Sequence, residues 1–287
     1  MPRKVKDVLT GVPTMEGAGV RLRRMFGFER VPGLDPFLML DDFSSGDPGD
    51  YIAGFPWHPH RGIETITYIL KGEVEHGDSM GNRGVISPGD VQWMTAGSGI
   101  IHQEMPRESR KTGLQGFQLW ANLPASEKMM PPRYRGVLAG RIPLVARPGG
   151  VKVRIICGAV DGVRGPVREI RIDPEYLDVE LPGGTVFSHE LPADYTVFAY
   201  VFTGGGYFDS QRGKETAAGN LVTFGKGSGV EITAGDGGAR FLLVSGKPLR
   251  EPVAWRGPIV MNTEEELRLA FAEYAAGTFL KHKAVLD

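Results

Sequence analysis

Short apolar runs, separated by glycine, proline and aspartate, recur along almost the whole chain. Phe37-Leu38-Met39-Leu40 is one such run. Glu64-Thr65-Ile66-Thr67-Tyr68-Ile69-Leu70 is denser in β-branched and aromatic residues, the types that pack well on a pleated surface. Val91-Gln92-Trp93-Met94-Thr95 follows, and the run from Leu114 to Leu123 alternates between two faces. Lys71-Gly72, Ser87-Pro88-Gly89-Asp90 and Ala96-Gly97-Ser98-Gly99 separate these runs and carry the residues that turns require. Evenly spaced short strands of this kind predict a sandwich or barrel.

Residues 124–136, with Pro124, Pro131 and Pro132, break the rhythm and read as a connector. It restarts with runs at 151–156, 167–172, 177–181, 195–202, 220–224 and 239–245. Gly204-Gly205-Gly206 reads as a turn behind the long apolar run that starts at Tyr195. The two halves share a strand–turn rhythm, which suggests a duplication. The pattern changes at Thr263, an N-cap with Glu266 three residues on, where a capping box wants it. Leu267, Ala270, Phe271 and Tyr274 share one helical face, and Gly277 stops the helix. The expectation is an all-β protein of two tandem barrels with a short C-terminal helix. Residues 1–135 form the first domain; residues 136–287 form the second, with the helix packed on it and taking no part in chemistry.

Glycine is abundant, at 41 of 287 residues, which suits many turns. The net charge of −1 gives no footprint for nucleic acid or an anionic membrane. No apolar run approaches membrane-spanning length. Cys157 is the single cysteine, so no intrachain disulfide can form, and it reads as a small buried hydrophobe. The first residues lack the apolar core of a signal peptide. A cytoplasmic protein is expected, or a nuclear one in a eukaryote.

Candidate chemistry sits at the two ends of the segment 58–104. His58 and His60 open it; His102 and Glu104 close it. On a strand, residues two apart point to one face, so each pair can present two ligands to one point. Folding the intervening strands back makes the pairs neighbours. Three imidazoles and a carboxylate suit Fe(II), Ni(II), Cu(II), Mn(II) or Zn(II) better than Ca(II) or Mg(II). Glu64 is an even number of positions from His60, so strand geometry alone also admits it. His76 reads as a surface strand residue near a turn. His189 stands without a His-x-His pair, so the second half reads as metal-free. Gln118 can face either way.

These residues carry a resemblance. His58-x-His60-x-x-x-Glu64 with Gly72, and Gly89-Asp90 through Thr95-Ala96-Gly97 to His102, are similar to the two cupin motifs. Phe55-Pro56-Trp57-His58-Pro59-His60-Arg61-Gly62, Gly81-Asn82-Arg83-Gly84-Val85-Ile86, Pro88 through Gly97, and His102-Gln103-Glu104 resemble the pirin family more closely, as does Gly257 through Glu266. The resemblance implies two cupin-type barrels, with an iron-type metal in the first alone. It implies ligands at His58, His60, His102 and Glu104, with Fe(II) as the leading metal. Glu64 would then orient an imidazole from behind.

It also implies a metal-dependent dioxygenase of the quercetin 2,3-dioxygenase type, with an aromatic or enolic small molecule and O2 as substrates. Glu104 would bind the metal and accept the substrate proton. The alternative is a regulatory protein whose iron oxidation state controls binding to a transcription factor or metabolic enzyme. Direct nucleic-acid and membrane binding are not expected. An open apolar cavity favours catalysis; a closed one favours regulation.

Overall fold

The structure is a computed structural model, and it describes residues 1–28, 33–109 and 111–282. About 53% of the protein is strand. Glu264–Ala275 is the one α-helix among the described residues, and Thr263 and Glu266 make the expected capping box. Among the described residues, no helix is long and apolar enough to cross a membrane.

Two compact units interleave along the chain. The first comprises residues 12–31, 37–139 and 249–287; the second comprises 1–11, 32–36 and 140–248. A single cut after residue 135 therefore differs from the units: the terminal helix belongs with the histidine-bearing unit, and the leading strand with the other.

The histidine-bearing unit has two main antiparallel sheets, beside the two-stranded pair Ala254–Arg256 and Ile259–Met261. The larger runs in the order Arg133–Val137, Val91–Thr95, Ile63–Lys71, Gln115–Asn122, Phe37–Asp42, Val20–Phe26 and Val12–Glu16. The smaller runs Phe55–His60, Ile100–Pro106, Val74–Asp78, Arg83–Ile86. Ile63–Lys71 is central to the larger sheet and buried along most of its length, which explains its nearly unbroken run of β-branched and aromatic residues. Val20, Leu22, Phe43, Tyr51, Ile69, Val74, Ile86 and Leu114 form one apolar cluster of this unit.

Residues 249–282 return to this unit as a strap. The Val260 N–H donates to the Arg61 carbonyl at 3.1 Å. Arg61 is buried and donates from Nε to Ser98 O (2.7 Å) and from Nη2 to Phe279 O (2.8 Å). It also pairs with Glu273 at 2.8 Å and stacks over the Phe279 ring at 4.3 Å. Buried Lys128 donates to Gly62 O (2.8 Å), Asn122 Oδ1 (2.6 Å) and Val260 O (3.1 Å). A buried cation is tolerated where its donors are satisfied in this way.

The second unit is a nine-stranded antiparallel sheet in which Val5–Thr10 pairs with Asn220–Phe224. Its interior is filled by apolar side chains, among them Val153, Ile155, Leu177, Val179, Phe241 and Leu243. Cys157 is buried there, and His189 bonds to Glu175 at 2.6 Å. Two expectations fail in this unit. The run 167–172 is no strand beyond a bridge at Val167, because Glu169 and Asp173 take positive φ. Gly204-Gly205-Gly206 is not a turn: Thr196–Tyr207 continues through it as one strand, with a register shift between Gly204 and Gly206. A side chain on Gly204 would meet Gly238 O at 2.0 Å, so glycine here permits close backbone approach.

Burial lowers the Lys128 ammonium to about 7, with Glu251 and Glu266 opposing. An unfolded lysine titrates near ~10.4. Between these values the folded form holds fewer protons than the unfolded form, so stability rises with pH across that window. The urea midpoint of the parent should therefore gain on that of Lys128→Met between pH ~7 and pH ~9.5. An unchanged gap would contradict the assignment.

Candidate metal centre

Strand pairing brings the two ends of segment 58–104 together. Ile100–Pro106 runs antiparallel to Phe55–His60, and His102 lies directly opposite His58. Its other neighbour is Val74–Asp78, where Asp78 faces His102 and His76 faces Glu104. The period of two then sends His58, His60, His102 and Glu104 to one side.

The three imidazoles converge. One ligand atom from each of His58, His60 and His102 lies within 4.8 Å of the others, the one such group among the described residues. His58 Nε2 and His60 Nε2 are 3.0 Å apart. His58 Nδ1 lies 2.8 Å from Pro56 O, and His60 Nδ1 lies 3.0 Å from Pro258 O. A carbonyl only accepts, so Nδ1 carries the hydrogen in both rings. Their Nε2 lone pairs then face each other with no hydrogen between them. His102 is 1% exposed and neither of its ring nitrogens has a hydrogen-bond partner among the described residues. This donor set fits a transition metal: two ~2.1 Å metal–nitrogen bonds at a right angle place the nitrogens ~3.0 Å apart. Burial lowers the His58 pKa, and it holds His60 and His102 well below the ordinary range, with neighbouring imidazoles adding to the shift. All three rings are thus kept neutral, the form that ligates.

Glu104 is buried beside this group without falling inside it. Its Oε1 accepts a hydrogen bond from Thr67 Oγ1 at 2.7 Å. Burial raises its carboxyl to about 7, against the lowering effect of Thr67. Glu64 sits three positions from Thr67 on the same strand, and so on the opposite face. There it accepts from Thr95 Oγ1 at 2.7 Å. The Glu64 alternative left open by spacing is thus turned away from the imidazoles.

His76 is not a surface residue. It is 8% exposed, on the inward side of its strand with Val74 and Asp78. It bonds Tyr134 Oη through Nε2 at 2.8 Å and stacks on that ring at 5.0 Å. Its parity with buried Val74 was the available signal. Asp78 is occupied by its own turn, accepting from Met80 N, Asn82 N and Asn82 Nδ2.

A cavity of about 820 Å³ opens from the imidazoles, lined by His58, His60, Glu104, Gln118, Trp120 and Trp255 among others. Aromatic rings lead outward: Trp120 lies 5.0 Å from His60, Trp255 lies 5.9 Å from Trp120, and Phe28 lies 5.5 Å from Trp255. The facing wall is polar, with Arg24 gripping Asp41 through two bonds of 2.8 and 2.7 Å. Trp255, Pro258 and Glu264 reach the site from the C-terminal strap, which thus supplies both cavity wall and a histidine partner; of the three, Glu264 lies on the terminal helix.

A mostly β chain with one polar, imidazole-bearing cup in one unit and an apolar interior in the other defines a two-domain cupin. The chain matches the family model for Pirin over residues 19–121 and that for the Pirin C-terminal cupin domain over residues 176–280. It is 45% identical to a pirin-like protein of Caulobacter vibrioides over 279 residues, 96% of this chain and 99% of that protein. It is 41% identical to pirin of Homo sapiens over 264 residues, 90% of this chain and 88% of that protein. The crystal structure of quercetin 2,3-dioxygenase from Acinetobacter baumannii matches with a TM-score of 0.88 at 30% identity, covering 97% of this chain and 99% of that one. The chain belongs to the pirin family.

His102→Ala should abolish retention of Fe(II) or Ni(II) through gel filtration, whereas His76→Ala should retain one metal per chain. Equal loss in both variants, by elemental analysis, would contradict the three-imidazole centre.

Proposed function

We propose that this protein is a metal-dependent dioxygenase of the quercetin 2,3-dioxygenase type, acting on a flat, hydroxylated aromatic or enolic substrate with O2. One divalent transition metal, Fe(II) first among the candidates, is held by His58, His60 and His102, with Glu104 as the fourth, weaker ligand. The observation that carries this reading is the buried neutral imidazole cluster opening directly into an aromatic-walled cavity of about 820 Å³. The crystallised Acinetobacter relative bears the quercetin 2,3-dioxygenase name, which supports it.

When bound, the metal supplies Lewis-acid polarisation of a substrate oxygen and one-electron chemistry toward O2. The chain's own residues do the rest. The carbonyls of Pro56 and Pro258 fix the His58 and His60 tautomers, leaving Nε2 of each to bind. Trp120 and Trp255 offer ring faces and edges to a flat substrate. Glu104, buried beside the imidazoles and held at Oε1 by Thr67, is placed to take a proton from a substrate hydroxyl. The polar wall around Arg24 and Asp41 suits hydroxyl substituents at the far edge of the ring.

The regulatory reading calls for a closed site, and an open cavity of this size favours turnover. An aerobic assay on Fe(II)-reconstituted protein tests the proposal. Loss of quercetin absorbance with release of carbon monoxide is expected, falling by ~10³-fold or more in His58→Ala and His102→Ala. Metal-loaded protein that neither consumes quercetin nor releases carbon monoxide would overturn it.

A further inference from the structure

Thr67 lies at the middle of the central strand, 2% exposed. It stands across from Gln118 on one neighbouring strand and Gln92 on the other. Its Oγ1 is 2.7 Å from Glu104 Oε1 and 2.9 Å from Gln118 Oε1. Both contacts, as drawn, ask the hydroxyl to donate. A hydroxyl has one hydrogen, so both cannot be donated at once. Amide oxygen and nitrogen exchange by a half-turn of the side-chain end. With Gln118 turned, its Nε2 donates to Thr67 Oγ1, and Thr67 donates to Glu104 Oε1. Each of the three groups then has a consistent partner. The chain of donors runs from the cavity wall, where Gln118 is half-buried, to the carboxylate beside the imidazoles.

The geometry points to Thr67 as a positioning residue that tethers one oxygen of Glu104, with Gln118 setting the direction of its hydroxyl. No other side chain among the described residues is recorded as bonding to Glu104. One carboxylate oxygen is committed to the central strand, and the other is left for the imidazole cluster. The tether accounts for a carboxylate that sits beside the three histidines yet outside their 4.8 Å group. Glu104 would then be held through Oε1, leaving Oε2 as the oxygen it could offer a metal. Thr65 is on the same inward face two residues away but bears no such bond, and its hydroxyl has no partner among the described residues. The arrangement is therefore specific to Thr67. This inference rests on the metal-site reading above and adds the device that restrains its one acidic ligand.

Co(II) as the probe separates the two. The full-length parent, Thr67→Val, Thr67→Ser and Gln118→Leu would each be titrated with Co(II), following the visible ligand-field bands and competing with a chelator. Groups that orient ligands typically cost ~10–100-fold in metal affinity when removed. Thr67→Val is expected to weaken Co(II) binding about tenfold and to alter the bands. Thr67→Ser, which keeps the hydroxyl, should restore both. Gln118→Leu should alter the bands in the same sense, and it carries the test if Thr67→Val does not fold. A merely structural role would lower the melting temperature and leave the bands unchanged. Folded Thr67→Val and Gln118→Leu with the parent's spectrum and affinity would overturn the tether while the metal site stands. A parent that takes up no Co(II) would overturn the metal-site reading and the tether together.

Discussion

Three neutral imidazoles aim at one point, and two of them have their only N–H committed to a backbone carbonyl. That leaves lone pairs facing each other at 3.0 Å between His58 and His60, with a third ring, His102, that has no hydrogen-bond partner among the described residues. Buried acceptors without donors are costly. The surrounding architecture makes sense as a means of holding this arrangement until a cation relieves it. Burial keeps the rings neutral, strand pairing sets His102 opposite His58, and the carbonyls of Pro56 and Pro258 hold the His58 and His60 rings in a ligating tautomer.

The strap is the least local part of that arrangement. Pro258 lies 198 residues from His60, yet its carbonyl fixes the ring. The carbonyl is held in turn because Val260 is locked to Arg61 and Lys128, two buried cations immediately behind the His58 strand and the connector. Gly62 shows how tight this region is: a Cβ there would meet Val260 O at 1.9 Å. Arg61 also reaches the terminal helix through Glu273. Metal site and strap are therefore one mechanical unit, which explains why the end of the chain belongs with the histidine-bearing unit.

Most of the strands and the imidazole cluster were legible in the sequence, for a simple reason. A two-residue period fixes the face of a side chain, so His58 with His60 and His102 with Glu104 had to point in pairs. Strand-length runs between turn signals then allowed the pairs to meet, and the three imidazoles do so. Facts that depend on register or on distant partners were not legible. Glu64 and Glu104 could not be separated by counting from His60, because the chain turns at Gly62 between the two strands and parity does not carry across. His76 read as a surface residue because its place near a turn outweighed its parity with Val74, and its cover, Tyr134, is 58 residues away. The exchange of terminal segments leaves no periodic mark at all, and the glycine triplet at 204–206 reads as a turn unless the approach of Gly238 is known.

The central claim is that the three imidazoles, and not a scattered surface set, bind the metal. X-ray absorption at the metal K-edge of Fe(II)-reconstituted protein tests it most directly. The account predicts a first shell of nitrogen and oxygen near ~2.1 Å with the outer-shell scattering of about three imidazole rings, and loss of that outer-shell signal in His102→Ala. A bound metal with an all-oxygen shell and no imidazole scattering would contradict it.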